Sequence, residues 1–513
     1  LYAFVRPARF CLPTPAGVAA ALDLDVPGND EDKAVALQQA AALLLREAAG
    51  LDRHAAATAA LMAKAGWAWG PALVAAIKEE PARGGLDVWN RLPEWLELAP
   101  PPPSDQQRVA PEEARERLRR LLDSDAEPRP AQSDYAAAAA QAFAPRDHEG
   151  APNLVLAEAG TGTGKTLGYI APASVWAEKN NGTVWLSTYT RNLQRQIDTE
   201  LDKLYPDPKV KARSAVVRKG RENYLCLLNL EEAGQGGAAR PADAIALGLV
   251  ARWAGATRDG DMQGGDFPAW IAELHGRGRT MGLTDRRGEC IYSACPHYKK
   301  CYIERGIRRA RTADIVIANH ALVMMNAALA PDQRDLPTRY VFDEGHHVFD
   351  AADSAFSAHL TAAEGGDLRR WLRGPEGSRR TRGRGLQKRI GDLLDGEAEE
   401  ALLQDIVASA EALPGEGWSQ RLHDARPQGA AEKFLAFVRQ QVKARGKDGP
   451  AVYAVECPTT EPVPGLLEAA RNLAEALRRM AKPLAALAKR LNERLDDDAA
   501  DLDAATRARI DAA

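Results

Sequence analysis

Six cysteines in 513 residues are too few for a disulfide scaffold. No stretch approaches the ~18 unbroken apolar residues that would suggest a membrane span. The opening Leu1-Tyr-Ala-Phe-Val-Arg-Pro has no basic region ahead of a sustained apolar core, so it does not read as a secretory leader. It also begins without Met, and the sequence is expected to be a piece of a longer protein. No repeat of fixed period is present, which sets aside a repeat array. Charge of one sign is scarce too: the net charge is −4 and the pI about 6.2, so overall charge does not predict a polyanion partner. Nucleic acid, if it binds, needs local basic patches. With 45% hydrophobic and 27% charged residues, the composition is that of a soluble, cytoplasmic globular chain with no membrane partner.

The length allows roughly three or four domains at about 100–200 residues each. Residues 1–98 read as a small helical accessory domain. Ala34–Glu47 and Ala55–Ala65 are rich in strong helix formers, and Trp67, Trp69, Trp89 and Trp95 supply bulk. Residues 99–126 read as a linker, opened by Pro100–Pro103 and carrying a short charged helix from Pro111. Pro128-Arg-Pro then punctuates the chain. From Asn153 short apolar runs alternate with helical segments: Leu154–Ala157, Thr183–Ser187, Ala313–Ala318 and Tyr340–Phe342. That alternation predicts an α/β fold with a parallel sheet covered on both faces. It is interrupted over residues 220–311. After about 360 the chain is helical and charged, with apolar residues at helical spacing over Gly465–Arg494 and an acidic stretch at Asp496–Asp503.

The first chemical motif is Ala159-Gly160-Thr161-Gly162-Thr163-Gly164-Lys165-Thr166. Placed after a strand (Leu154–Ala157) and before a helix, it reads as a phosphate-binding loop. The glycines let the backbone turn tightly and aim N–H groups inward. Lys165 would reach the β- and γ-phosphates, the Thr166 hydroxyl would hold Mg²⁺, and the helix N-terminus would face the same phosphates. The second motif, Tyr340-Val-Phe-Asp343-Glu344-Gly345-His346-His347, ends an apolar run in two carboxylates. Alone it is a solvated strand end. Downstream of a phosphate loop, Asp343 suits the Mg²⁺ shell, Glu344 suits activation of the attacking water, and His346 could sense the γ-phosphate. Arg129 and Gln132 precede the loop, and the Gln amide could read the adenine edge. ATP and Mg²⁺ are therefore the expected cofactors.

Cys226, Cys290, Cys295 and Cys301 fall within one region, spaced C-x63-C-x4-C-x5-C. Four thiolates can close a tetrahedral site around zinc or hold an iron–sulfur cluster. Cys11 and Cys457 stand apart as small buried hydrophobes. Around the cluster lie Arg286, Arg287, Lys299, Lys300, Arg305, Arg308, Arg309 and Arg311, interleaved with Tyr292, Tyr298 and Tyr302. Cations and aromatic faces together suit single-stranded nucleic acid. Two further basic stretches, Lys209–Arg221 and Arg369–Arg389, offer the same chemistry or simply a solvated face.

A phosphate loop of the Ala-Gly-Thr-Gly-Thr-Gly-Lys-Thr form, an Asp-Glu-Gly-His-His motif and four cysteines between them resemble the iron–sulfur helicases of the XPD/DinG family. Ser187–Gln194, Lys219–Cys226 and Ala318–Val323 add to the likeness. The resemblance implies a RecA-like motor domain (127–219 and 312–358), an iron–sulfur domain (220–311) with a [4Fe–4S] cluster on Cys226, Cys290, Cys295 and Cys301, and an incomplete helical arch-like domain (359–513). It implies a monomeric, ATP-dependent DNA helicase of 5′-to-3′ polarity acting on single-stranded or branched DNA in repair. Ser187, Thr188 and Thr190 would meet the strand. Residues 1–100 match no catalytic domain, and acidic exonuclease motifs are not found there. No Gln-x-x-Gly-Arg-x-x-Arg motif occurs downstream, so this portion is expected to bind ATP and DNA without unwinding a duplex. The alternative is a metal-stapled nucleic-acid-binding ATPase that does not unwind.

Overall fold

The structure is a computed structural model. It describes residues 1–96, 99, 101–122, 129–146, 148, 151–235, 241–285, 290–329, 337–374, 376, 385–394, 396–446, 455–497, 502, 506, 507 and 510. Pro128, Arg286, Arg287, Arg379–Arg384 and most of the segment after Asp497 lie outside the described residues. The chain divides into two compact units, Leu1–Gly288 with Lys299–Ser357, and Glu289–Tyr298 with Ala358–Ala513.

The first unit holds a four-stranded, all-parallel sheet: β1 (Val184–Thr188), β2 (Ala215–Val217), β3 (Ile315–Asn319) and β4 (Tyr340–Phe342), in spatial order β2-β3-β1-β4. Val184 pairs with Ile315, and Trp185 with Tyr340. The strands are nearly continuous apolar runs because both faces are covered. Val184, Leu186, Ile315 and Ile317 face one layer, built on the helices Lys165–Asn180 (Ile170, Trp176) and Arg191–Leu204 (Ile197, Leu201). The alternate residues, Trp185, Val316 and Ala318, face Ala310 and Val323 on the other side. The fold is thus α/β with a parallel sheet, as the sequence pattern predicts.

Two strands depart from that prediction. Leu154–Ala157 forms no strand: Leu154 is 74% and Leu156 is 89% exposed. A strand of a parallel sheet needs ladder partners for its backbone groups. Here β4 ends the described sheet and is only half buried, and residues 151–160 make no ladder with it. Conversely, Ala215–Val217 is a strand the sequence did not single out. It is three residues long, too short to show a period.

Helices form where strong helix formers cluster, at Asp30–Ala48 and Arg53–Lys64. Asn29 and Asp52 cap them by accepting the Asp32 and Ala55 N–H groups. These helices share one core with the cysteine-bearing insertion. Phe4, Leu44, Met62, Leu73 and Leu92 pack in a single apolar cluster with Leu225, Leu230, Trp253, Ile271 and Tyr302. Gly248 permits the closest approach: a Cβ there would lie 2.7 Å from Met62 Cγ. Arg252 Nε donates to the Phe4 carbonyl at 3.1 Å, and Trp270 Nε1 donates to the Cys11 carbonyl at 3.1 Å. Cys11 is a buried member of this core.

The second unit is helical. Its longest helix, Leu466–Asp497, buries Met480, Leu487 and Leu491 with Leu403 and Ile406. Among the described residues, no helix is long and apolar enough to cross a membrane.

Candidate nucleotide site and nucleic-acid face

The glycine-rich loop ends at Gly164, whose φ of +78° is a left-handed conformation that favours glycine. A Cβ there would also lie within 2.7 Å of the Gln132 Cδ. That contact is explained by a hydrogen bond: Gln132 Nε2 donates to the Gly164 carbonyl at 2.8 Å. Arg129 Nη1 donates to the Gly162 carbonyl at 3.3 Å, and Thr163 Oγ1 donates to the Gly160 carbonyl at 2.9 Å. Both residues assigned to the adenine edge therefore touch the loop itself. Gln132 is 3% exposed, and its Oε1 has no hydrogen-bond partner among the described residues. Gly160, Thr161 and Gly162 are exposed, and Ala159 is partly buried.

Lys165 begins the following helix, and its Nζ lies 3.3 Å from Glu344 Oε1. Asp343 follows β4, where its N–H donates to the Ser187 carbonyl at 2.8 Å. Its Oδ2 accepts from Thr188 Oγ1 at 3.0 Å. Burial pushes the Asp343 carboxyl above its ordinary range, with Glu344 adding and Thr188 and Lys165 opposing. Glu344 holds a left-handed backbone at φ +53°, strained for a residue with a side chain. The site thus sits at the carboxyl ends of β1 and β4, where open α/β sheets bind ligands.

The strand β1 delivers a correction. Ser187 and Thr188 are fully buried and turned inward, so their side chains do not face a nucleic-acid strand. Ser187 Oγ lies 2.7 Å from His320 Nδ1, and Thr188 serves Asp343. His320 is 1% exposed, and burial lowers its basicity. Thr190 remains exposed, but its hydroxyl caps the next helix by accepting the Leu193 N–H at 3.2 Å. Tyr189, which the sequence reading passed over, is half exposed.

The basic stretches are also less free than their residue counts suggest. Lys211 pairs with Asp198 and Asp202, Lys219 with Asp261, and Arg221 with Asp285. Arg305 donates to the Pro93 carbonyl, Arg308 pairs with Glu304 and lies over Trp95, and Arg309 donates to the Ala212 carbonyl. Arg369 and Arg373 pair with Glu376. Tyr302 is 2% exposed in the shared core, with its hydroxyl on the Ala254 carbonyl, so it offers no face to a base. Tyr292 is exposed.

The two implied metals differ in fit. A nucleotide-bound Mg²⁺ needs only one or two carboxylates besides phosphate oxygens and waters, and Asp343 with Thr166 offers that donor set. A four-thiolate centre needs four converging sulfurs. Among the described residues, no three His, Cys, Asp or Glu side chains converge to hold a metal. Cys226 and Cys301 belong to the first unit, and Cys290 and Cys295 to the second. Burial also raises the Cys301 thiol.

A search of curated proteins finds relatives at 31% identity over 319 residues in the ATP-dependent helicase DinG of Mycobacterium tuberculosis, covering 58% of this chain and 42% of that protein. The ATP-dependent DNA helicase YoaA of Haemophilus influenzae is 33% identical over 226 residues, covering 42% of this chain and 33% of its own length. The chain resembles the DinG and YoaA helicases. A Bacillus subtilis relative named 3′-5′ exonuclease DinG is 28% identical over 232 residues, 44% of this chain and 23% of that protein. This DinG-like chain spans less than half the length of each of these relatives. No family model matches it.

Proposed function

We propose that this chain binds Mg²⁺-ATP between the phosphate loop and the Asp343-Glu344 turn, binds single-stranded DNA on the adjoining face, and serves as the nucleotide-binding portion of a monomeric 5′-to-3′ DNA helicase working in the cytoplasm. The observation that carries the reading is the Lys165–Glu344 contact at 3.3 Å. It brings the loop's cation to the water-activating carboxylate. With nucleotide bound, Lys165 would exchange this partner for phosphate oxygens, freeing Glu344 to orient water. Mg²⁺ on Thr166 and Asp343 would neutralise charge on the phosphates. Similarity to proteins named ATP-dependent DNA helicases supports the substrate assignment.

The same reading assigns Cys226, Cys290, Cys295 and Cys301 to a [4Fe–4S] cluster, supported by their order in the sequence and the family likeness. No metal-holding group is found among the described residues, so no step is derived through a cluster. Iron and acid-labile sulfide analysis of anaerobically purified protein tests it. Stoichiometric zinc instead would favour the metal-stapled ATPase that does not unwind.

The test of the site is Lys165→Ala, read by titration with Mg²⁺-ATP and with oligothymidylate. Nucleotide affinity is expected to fall below detection while DNA affinity is retained. Wild-type nucleotide affinity in the variant would sink the assignment.

A further inference from the structure

Three aromatic rings run from the exposed end of β1 to the catalytic turn. Tyr189 stacks on His347 with ring centroids 3.8 Å apart and planes 12° apart. His347 meets His346 at 4.0 Å, tilted by 42°. His346 Nδ1 lies 3.7 Å from Glu344 Oε2, and Glu344 reaches Lys165. Tyr189 is half exposed, whereas its chain neighbour Thr188 is buried and bonded to Asp343. Tyr189 thus ends a continuous row of contacts whose other end is the phosphate-facing lysine, and His346 within the row is itself exposed. Two residues further on, Arg191 donates to Gln263 Oε1 at 2.7 Å, and beyond it Arg195 donates to the Gly264 carbonyl at 3.4 Å, tying the same segment to the insertion.

The inner end of this row is poised to change. Glu344 is held at φ +53°, a conformation that costs on the order of 1–3 kcal/mol and persists only where surrounding contacts enforce it. Among those contacts are the neighbouring histidine and Lys165. A flat ligand engaging Tyr189 would compete with, or compress, its stack on His347. A movement of His347 is passed to His346 and Glu344 through rings in direct contact.

We propose that Tyr189 is a positioning residue that couples nucleic-acid binding to the nucleotide site, through His347 and His346, by biasing the Glu344 turn. The inference rests on the nucleotide site proposed above. The ligand class is single-stranded nucleic acid, because an open aromatic ring at the end of a stack accepts a base whatever its sequence. Coupling of this kind is a reciprocal free energy: nucleotide must change DNA affinity by the same factor as DNA changes nucleotide affinity.

The experiment measures binding of a fluorescein-labelled oligothymidylate, with and without a saturating non-hydrolysable Mg²⁺-ATP analogue, and the converse titration. It compares wild type, Tyr189→Leu and Tyr189→Phe. Wild type is expected to show a reciprocal coupling of about 5-fold or more. Tyr189→Leu, which keeps bulk but loses the stack, is expected to bring the factor to about 1 while analogue affinity without DNA stays within about 2-fold. Tyr189→Phe, which keeps the ring, is expected to restore it; a purely structural role would not separate the two variants in this way. Coupling that survives in Tyr189→Leu overturns the inference alone, as does wild type that binds both ligands without coupling. Wild type that binds no analogue overturns the nucleotide-site reading and this inference with it.

Discussion

Replacing Gln132 by Ala separates two roles that the structure leaves to the same side chain. Its amide donates to the Gly164 carbonyl at 2.8 Å, while its Oε1 is buried without a hydrogen-bond partner among the described residues. The first contact braces the loop; the second leaves an acceptor that an adenine amino group would fit. Deleting the brace removes one hydrogen bond, about 0.5–1.5 kcal/mol net, because the Gly164 carbonyl still accepts the Gly168 N–H at 3.2 Å. If that loss falls on the phosphate-binding geometry, affinity drops about 2- to 12-fold, since 1.4 kcal/mol is about tenfold. Calorimetric titration with Mg²⁺-ATP, Mg²⁺-GTP and Mg²⁺-tripolyphosphate is the assay. Loop bracing lowers all three affinities by the same factor. A loss confined to ATP, with tripolyphosphate unchanged, would refute the bracing role and return Gln132 to reading the base.

Two further outcomes follow from burial. Asp343 carries a raised pKa, so the native state holds its proton more tightly than the unfolded chain does. The stability this proton contributes is present at acid pH, below the ordinary carboxylate value, and is lost as pH rises through the folded value. Asp343→Asn should therefore flatten the fall of Tm as pH rises above the ordinary carboxylate range in Mg²⁺-free buffer, and raise Tm at neutral pH; a lower neutral Tm would contradict it. Met62 is fully buried against Gly248, so Met62→Ala is expected to cost about 2–5 kcal/mol. Hydrogen exchange should quicken in Pro241–Ala254 as well as in Arg53–Lys64, and protection retained in the former would argue against one shared core.

The parts of this molecule legible in the sequence are those fixed by local chemistry. The tight glycine turn at Gly164, the carboxylates after Phe342 and the helices Asp30–Ala48 and Arg53–Lys64 depend on turns, caps and propensities that a short window contains. What could not be read depends on partners distant along the chain. Leu154–Ala157 has the composition of a buried strand, but composition does not supply a ladder. Ser187 and Thr188 look like polar residues bound for a ligand until His320 and Asp343 claim them. Tyr302 and Arg308 look available for nucleic acid until the N-terminal segment takes them into a core and against Trp95. Tyr189 carries no motif signal; its use becomes visible only when His347 is brought alongside.

The core shared by the first 92 residues and the insertion also sets a timetable for synthesis. Leu92 and Leu225 belong to one apolar cluster but are separated by 133 positions in the chain. At about 5–20 residues per second, roughly 7–27 s pass between their emergence from the ribosome. Through that interval Phe4, Leu44, Met62 and Leu73 lack the partners that finally cover them. The nascent chain is therefore open to chaperone capture, and a synonymous change that slows decoding between these positions would lengthen its exposure without altering a single contact in the finished protein.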